Sequence, residues 1–320
     1  MNQPRAAFYC VSSARYFLGA VALVNSLRLL GHPEPIFVLD AGLSAPQRQQ
    51  LEREATVVSA PSDTTPFLLK TVAPHSHPAE VMVLIDADVI VTRPLTELID
   101  RASEGRVLVV EHEHDRFFPQ WGELLGLRSS RRRHYVSSGF IVAGGSPGGR
   151  VVELMHEAQP RIGIEETPYS AHSPDLESLR ISFQDTREGH PFFFADQDVL
   201  NAVLSSEITE DEIETLDRWA EASTPFEGLR VLDAAALRCR YDDGTEPYVV
   251  HHYMPAKPWL ERTYDGPYSR LLRRLLARDD VAIRLPKGQL PLRLRRGPAA
   301  YAERKRINTR ERLRWRLQGS

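Results

Sequence analysis

The most informative segment of the 320-residue chain reads Val81-Met82-Val83-Leu84-Ile85-Asp86-Ala87-Asp88-Val89-Ile90-Val91. A continuous apolar run of this length predicts a buried strand of a parallel sheet. An ionised carboxylate within such a run is costly unless it is paired or bound to a cation. Residues two apart in a strand point to the same side, so Asp86 and Asp88 are predicted to share one divalent ion.

The position of this pair also indicates a binding site. Ligands of open α/β sheets bind outside the carboxyl ends of the strands, where Asp86 and Asp88 are expected. Because Asp-x-Asp occurs by chance in many chains, the alternative is a pair of loop or helix-capping aspartates.

Strands and helices alternate from the first residues of the chain. Apolar runs predict strands, and helical spacing of apolar residues predicts helices. The predicted strands of the first half are 8–11, 36–40 and 56–58, and the predicted helices are 16–30, 44–53, a segment around 68–74, and 95–99. This alternation is typical of a parallel, doubly wound α/β sheet.

The second half contains further apolar strands and one long polar segment. Strands are predicted at 106–110, 135–142 and 248–253, a helix at 199–204, a glycine-rich turn at 144–149 and an acidic connector at 206–217. Residues 160–190 are aperiodic, which predicts a long loop of the kind that serves as a lid or recognises substrates. The cluster from Glu111 to Asp115 is interpreted as a polar loop, because no second set of ligands completes a metal site.

The composition is that of an ordinary globular protein. Hydrophobic residues make up 42% and charged residues 26% of the chain. No segment approaches the ~20 apolar residues of a membrane span. Cys10 and Cys239 have neither disulfide-framework nor zinc spacing, which suits a reducing compartment. The N-terminus leads directly into a strand, so we expect no signal peptide and a cytoplasmic location.

The net charge of −3 conceals an uneven distribution. Residues 282–320 hold 12 Lys/Arg and 2 Asp/Glu, whereas residues 1–281 hold 28 and 41. Residues 268–278 predict a basic amphipathic helix. We call this basic C-terminal region the tail and the acidic remainder of the chain the body. The tail is predicted either to attach to an anionic membrane surface, at the inner membrane face, or to pack on the body or on a partner subunit. Nucleic-acid binding is disfavoured because the body is acidic and no recognition motif precedes the tail.

Two later motifs add polar groups to the predicted site. Asp196 and Gln197 fall at the start of a predicted helix, where a plain helix cap is the alternative. A strand ending at His251 and His252 is followed by Lys257, which offers an imidazole for a metal and a cation for an anion. The two histidines point to opposite faces of the strand, so only one can face a site.

In this order, the segments resemble the family 8 glycosyltransferases, which are retaining, metal-dependent enzymes of the Rossmann-like GT-A fold, such as bacterial lipopolysaccharide galactosyltransferases and glycogenin. The resemblance covers roughly residues 7–262. We therefore predict a catalytic domain at residues 1–265, followed by a basic helical extension at residues 266–320. Its landmarks are the first strand and Tyr16, residues 38–44, Lys70, residues 84–88, Ser138-Gly139, residues 196–201 and His251 to Trp259.

The resemblance implies a nucleotide-sugar site. Asp86, Asp88 and His251 would hold Mn²⁺, or alternatively Mg²⁺, which suits nitrogen and oxygen ligands. The ion would bridge the phosphates of a UDP-sugar. The other donor-binding residues implied are Val11 and Ser12 along the base and ribose, Tyr16 stacked on uracil, Lys70 and Lys257 at the diphosphate, and Ala87 and Ser138.

The resemblance also implies the chemistry. Asp196 and Gln197 would be the catalytic pair beside the anomeric carbon, with Asp196 on sugar hydroxyls and Gln197 on the β-face. The family is described by a front-face mechanism, whereas retention through a covalent intermediate would need Asp196 as the carboxylate. The chain departs from the family pattern at Ser137, where asparagine is frequent, and at Met254, where glycine is common.

The predicted function is transfer of a hexose, galactose or glucose, from a UDP-sugar to a carbohydrate, lipid-linked or small-molecule acceptor. The alternative is a non-catalytic nucleotide-sugar or carbohydrate-binding protein, since a fold alone does not guarantee chemistry. A nucleotidyltransferase is disfavoured because the chain lacks a glycine-rich basic signature near the N-terminus.

Overall fold

The computed structural model describes residues 3–61, 69–162 and 190–318, with side chains up to residue 311. The strands of its main sheet are β1 (Ala6–Ser12), β2 (Ile36–Asp40), β3 (Thr56–Ser59), β4 (Val81–Ile85), β6 (Val107–Glu111), β7 (Val136–Gly144) and β8 (Ile213–Leu216). Their order is β3-β2-β1-β4-β7-β6-β8. Only β7 runs against its neighbours, so the predicted mostly parallel α/β sheet is confirmed.

The segment 81–91 is divided between two sheets. β4 ends at Ile85, and β5 (Val89–Val91) belongs to a second, three-stranded sheet with β9 (Glu221–Ser223) and β12 (Val249–His251). The prediction of one continuous strand was wrong. The Asp86 amide donates to the Gly139 carbonyl at 3.0 Å, and the Val89 amide donates to the Asp86 carbonyl at 3.1 Å. The first bond extends the pairing of β4 with β7, and the second closes a turn that holds the two aspartates between β4 and β5.

The main sheet is covered on both faces, and the described residues form nine α-helices. They are α1 (Phe17–Leu29), α2 (Ala45–Leu51), α3 (Val72–Ser76), α4 (Thr96–Ser103), α5 (Trp121–Leu125), α6 (Gly145–Ala158), α7 (Asp196–Glu207), α8 (Pro267–Leu276) and α9 (Pro298–Gln318). Strand β4 is buried on both sides: Val81, Val83 and Ile85 join one core cluster, and Met82 and Leu84 join the other. This double burial explains its continuous apolar sequence.

Several local predictions were wrong. Residues 145–149 begin helix α6 rather than forming a glycine-rich turn, and Pro74 lies within α3 rather than ending a helix. The acidic connector contains the edge strand β8, whose Glu214 pairs with Arg101 of α4. The antiparallel pair β10 (Arg230–Asp233) and β11 (Arg238–Arg240) was not predicted. Most of the predicted loop 160–190 lies outside the described residues.

The beginning of the C-terminal extension packs on the body. Leu271, Leu272, Leu275 and Leu276 of α8 are buried in the same core cluster as α1. The Asn25 side chain of α1 donates to the carbonyls of Leu275 at 2.9 Å and Ile283 at 3.0 Å. The apolar face of α8 is therefore covered by the body. None of the helices in the described ranges is both long and apolar enough to cross a bilayer.

Candidate functional site

The turn after β4 holds a cluster of potential metal ligands. One ligand atom from each of Asp86, Asp88 and His251 lies within 4.8 Å of the others. Within the described ranges no other three His, Cys, Asp or Glu side chains meet this geometry, including those between Glu111 and Asp115. The potential ligand atoms are oxygen and nitrogen, and their side chains are largely buried. This set fits a hard divalent cation such as Mn²⁺ or Mg²⁺.

Asp88 is the most strongly held of the three side chains. Its Oδ2 lies 2.5 Å from Lys257 Nζ, and its Oδ1 lies 3.3 Å from His251 Nε2. Lys257 is only 1% exposed and also donates to the His252 carbonyl at 2.6 Å. Burial alone would raise the pKa of Asp88, but Lys257 and His251 outweigh burial and hold it well below its usual range. Asp88 is therefore a carboxylate at neutral pH.

Lys70 connects the metal-ligand cluster to the start of α7. Its Nζ lies 2.7 Å from Asp86 Oδ1 and 2.6 Å from Asp196 Oδ2, and it donates to the Ser138 carbonyl at 2.8 Å. Burial would lower the pKa of Lys70, but the two carboxylates outweigh burial and raise it above its usual value. A permanent cation thus lies between the two predicted functional acids.

The two adjacent histidines have opposite environments. His251 Nδ1 lies 2.5 Å from Glu221 Oε1, and the carboxylates of Asp88 and Glu221 outweigh burial and raise the pKa of His251 to about 10. His252 faces the other side, beside Phe226 and Tyr268. Burial, with Lys257 nearby, lowers the pKa of His252 to about 4. Only His251 faces the cluster, as the alternation of the strand predicts.

Gly139 makes room for His251. A Cβ atom at this position would lie 2.6 Å from His251 Cε1 and 2.7 Å from Nδ1. Gly19 has the same function beside the aspartate turn, because its Cβ would lie 2.2 Å from the Ala87 carbonyl oxygen and 2.8 Å from the Trp259 ring. These two close approaches let β7 and α1 lie directly against the site.

Asp196 and Gln197 occupy the first turn of α7. Asp196 follows Ala195, whose φ of 46° lies in the region that favours glycine. Gln197 Oε1 accepts the Ser138 amide at 3.2 Å. The N-cap of α7 is Ala195, and the side chains of Asp196 and Gln197 contact Lys70 and the Ser138 amide.

Asp198 and Asn201 fix the helix behind this pair. Asp198 is fully buried and accepts hydrogen bonds from Arg116 Nε at 2.8 Å and Tyr135 Oη at 2.7 Å. Asn201 bonds to both the amide and the carbonyl of Val136, each at 2.9 Å. The start of α7 is therefore held at a fixed distance from β7.

The residues predicted to bind the base lie at the same sheet edge. The register of β1 with β4 pairs Tyr9 with Leu84, so Val11 and Ser12 lie level with the aspartate turn. Tyr16 packs edge-to-face on Trp259 with ring centroids 6.2 Å apart, and Lys257 Nζ lies 5.6 Å from the Tyr16 ring centroid. The structure thus brings the carboxyl ends of β1, β4 and β12 together with the start of β7 and the start of α7.

Glu221 is the member of the site that sequence reasoning missed. It lies in a three-residue strand, Glu-Ala-Ser, which has no apolar run to mark it. Glu221 also lies outside every predicted motif, so nothing else in the sequence marked it as part of the site. The predicted residues Asp86, Asp88, Lys70, Ser138, Asp196, Gln197, His251 and Lys257 are all linked by contacts described above.

Comparison with solved structures identifies the fold. An active-site mutant of LgtC aligns with 89% of this chain and 100% of its own, at 14% identity and a TM-score of 0.55. The galactosyltransferase LgtC in complex with donor and acceptor sugar analogues aligns over the same shares, at 15% identity and a TM-score of 0.51. The bifunctional glycosyltransferase WbbM aligns with 85% of this chain and 50% of its own, at 14% identity and a TM-score of 0.50.

These alignments show that the chain has a GT-A glycosyltransferase fold. The resemblance to family 8 is confirmed at the level of the fold, because LgtC is a galactosyltransferase of that family. The sequence itself matches no protein-family model and no curated protein.

Proposed function

We propose that the protein is a retaining, metal-dependent glycosyltransferase that transfers a hexose, galactose or glucose, from a UDP-sugar to an acceptor hydroxyl. The observation that carries the proposal is the convergence of Asp86, Asp88 and His251 within 4.8 Å of one another on a glycosyltransferase fold. Lys70 and Lys257 contact this cluster directly. Asp196 and Gln197 are joined to it through Lys70 and Ser138.

Asp86, Asp88 and His251 would hold the divalent ion, Mn²⁺ or Mg²⁺. When bound, the ion would neutralise charge on the leaving diphosphate. Lys257 is fixed in place by Asp88 and the His252 carbonyl, so its ammonium group is preorganised to bind a phosphate oxygen. Tyr16, Val11 and Ser12 would hold the uridine, since they lie at the same edge of the sheet.

The sugar would lie beside Lys70 and the start of α7, which are in contact with each other. Asp196 would accept hydrogen bonds from sugar hydroxyls, and Gln197 would contact the β-face near the anomeric carbon. In the front-face reaction, the bond between the anomeric carbon and the phosphate oxygen breaks and UDP leaves with the electron pair. The acceptor oxygen bonds to the same face of the carbon, while its proton passes to the departing phosphate.

The alternative route to retention uses a covalent intermediate. Asp196 would attack the anomeric carbon and would be displaced by the acceptor. Its Oδ2 lies 2.6 Å from the Lys70 ammonium, an ion pair that lowers its nucleophilicity and supports the front-face reaction. A glycosyl adduct trapped on Asp196 would overturn the front-face proposal.

The test is turnover of defined donors. The protein is incubated with UDP-galactose or UDP-glucose and Mn²⁺, with lactose and other hexosides as acceptors, and UDP release is measured. NMR of the product reports whether the α-configuration of the donor is retained. We expect release with one donor and none after chelation or in Asp88→Asn. Binding of a UDP-sugar without release or transfer would instead support the non-catalytic alternative.

A further inference from the structure

Glu221 lies behind His251, on the opposite side of the imidazole from Asp88. Strands β9 and β12 are parallel neighbours, with Glu221 paired to Val249 and Ser223 paired to His251. Side chains two residues apart in a strand share a face. Glu221 and His251 are therefore diagonal neighbours on one face of the three-stranded sheet.

The contact between the two side chains is short and buried. Glu221 Oε1 lies 2.5 Å from His251 Nδ1, and Glu221 is only 6% exposed. Because a carboxylate can only accept, His251 must donate through Nδ1. The other ring nitrogen, Nε2, faces Asp88 Oδ1 at 3.3 Å.

The backbone of β7 packs closely against this pair of side chains. Gly139 of β7 lies so close that a Cβ there would be 2.6 Å from the imidazole and 3.3 Å from Glu221 Oε1. The two contacts of the imidazole orient one nitrogen toward Glu221 and the other toward Asp88. Metal-bound histidines commonly donate their second nitrogen to a carboxylate in this way, which fixes the tautomer and increases the basicity of the ligand.

We propose that Glu221 is a positioning residue of the metal centre, which holds the Nδ1 proton of His251 so that Nε2 is the ligand atom, and thereby sets the affinity of the site for the ion. This inference rests on the proposed function, since it assumes that His251 binds the metal. It assigns to Glu221 a role that none of the sequence motifs predicts.

The test compares Mn²⁺ binding by the full chain and its variants in the presence of UDP. Free Mn²⁺ is followed by electron paramagnetic resonance for the wild type, Glu221→Ala and Glu221→Gln. Loss of such a partner typically weakens metal binding about 10–100-fold, and we expect this for Glu221→Ala. Glu221→Gln preserves the shape of the side chain and an acceptor oxygen but not the charge, so we expect a smaller loss.

A second readout separates positioning from general damage. Nitrogen-15 NMR of the histidines, recorded with UDP and the diamagnetic ion Mg²⁺, should show a proton on Nδ1 and the metal on Nε2 of His251 in the wild type, and loss of this single pattern in Glu221→Ala. The control is Glu97→Gln, since Glu97 lies on α4, accepts a hydrogen bond from Tyr248 beside β12 at 2.9 Å, and is not part of the metal-ligand cluster. This variant should bind Mn²⁺ like the wild type.

Two outcomes would contradict the proposal, and they differ in scope. Wild-type Mn²⁺ affinity and an unchanged His251 tautomer in both Glu221 variants would overturn the role of Glu221 alone. A wild-type protein that binds neither Mn²⁺ nor Mg²⁺ with UDP would overturn both this inference and the metal-dependent function.

Discussion

Asp88 shows how single residues set the electrostatics of the site. Its two oxygens have separate cationic partners, Lys257 and His251, and all three side chains are buried. Lys70 has the equivalent place between Asp86 and Asp196. Each buried carboxylate is thus paired with a cationic side chain. Removing one partner of such a pair leaves the charge of the other uncompensated.

We expect Lys257→Met to weaken both stability and nucleotide binding. Breaking a buried ion pair by removing one partner typically costs about 3–5 kcal/mol, because the remaining charge is left without compensation. Urea unfolding would measure the loss, and calorimetry would measure the affinity for UDP with Mn²⁺. Lys305→Met, at an exposed lysine of α9, is the matched control and should change neither quantity. A Lys257 variant with wild-type UDP affinity would remove this lysine from the proposed site.

Gly139→Ala should displace His251. The added Cβ would lie 2.6 Å from the imidazole, and overpacking of this kind typically costs about 1–3 kcal/mol. The expected result is a lower midpoint of thermal unfolding together with weaker Mn²⁺ binding. Gly149→Ala is the control, because a Cβ there meets nothing within 4 Å and alanine is favoured in a helix. If Gly139→Ala bound Mn²⁺ normally, the position of His251 would not depend on this close approach.

Among the secondary-structure elements, α7 carries the proposed catalytic pair. Its first residues are acidic and polar, so the sequence does not predict against which element this end of the helix packs. The position is fixed by hydrogen bonds from the interior of the helix to β7, chiefly those of Asn201 to the Val136 backbone. A helix anchored on a rigid strand can hold Asp196 and Gln197 in one geometry.

Asn201→Ala should therefore affect both stability and turnover. It leaves a buried amide and a buried carbonyl of Val136 without their Asn201 partner, at about 1–3 kcal/mol each. We expect a lower free energy of unfolding in urea and a reduced kcat with the KM for the donor changed less. Ser205→Ala in the same helix is the control, because the Ser205 hydroxyl donates to carbonyls of its own helix, those of Asn201 and Ala202. Unchanged kcat in Asn201→Ala would show that this anchor does not position the pair.

The strongly patterned elements were predictable from sequence, and those defined by distant partners were not. The strand around 36–40 and the helix capped by Ser44 follow from local spacing and capping chemistry. The break after Ile85 was missed because β5 is as apolar as β4, and only its pairing with β12 separates the two. The edge strand β8 was missed because its surroundings are acidic, and its pairing with β6 defines it.

In the whole molecule, the sheet order brings widely separated segments to one edge. Lys70, Asp86, Asp196 and His251 come from four parts of the chain, and the motifs that contain them could be recognised in sequence. Their contacts with one another could not be predicted, because they depend on the antiparallel insertion of β7 and on the second sheet. Glu221 could not be found at all, since its role exists only through its place beside β12.

The uneven charge of the chain supports a prediction about membranes. With the apolar face of α8 buried on the body, binding to an anionic surface would depend on the exposed cations of α9, such as Lys305, Arg306 and Arg310. Each such residue contributes about 1 kcal/mol near an anionic membrane. We expect co-sedimentation with phosphatidylglycerol vesicles, loss of binding at high salt, and weaker binding when these three residues are changed to glutamine. Equal binding to neutral phosphatidylcholine vesicles would contradict an electrostatic attachment.

The most direct test of the central claim is thermal unfolding with UDP, GDP or no nucleotide, each with and without Mn²⁺. A ligand at ~100 times its dissociation constant adds about 2.7 kcal/mol of stability. We expect UDP to stabilise the wild type only when Mn²⁺ is present, and by more than GDP does. In Asp88→Asn, we expect UDP with Mn²⁺ to give no stabilisation over the same variant without ligand. Stabilisation by UDP that is equal without Mn²⁺, or that persists in Asp88→Asn, would contradict a nucleotide-sugar site built on the Asp86–Asp88–His251 cluster.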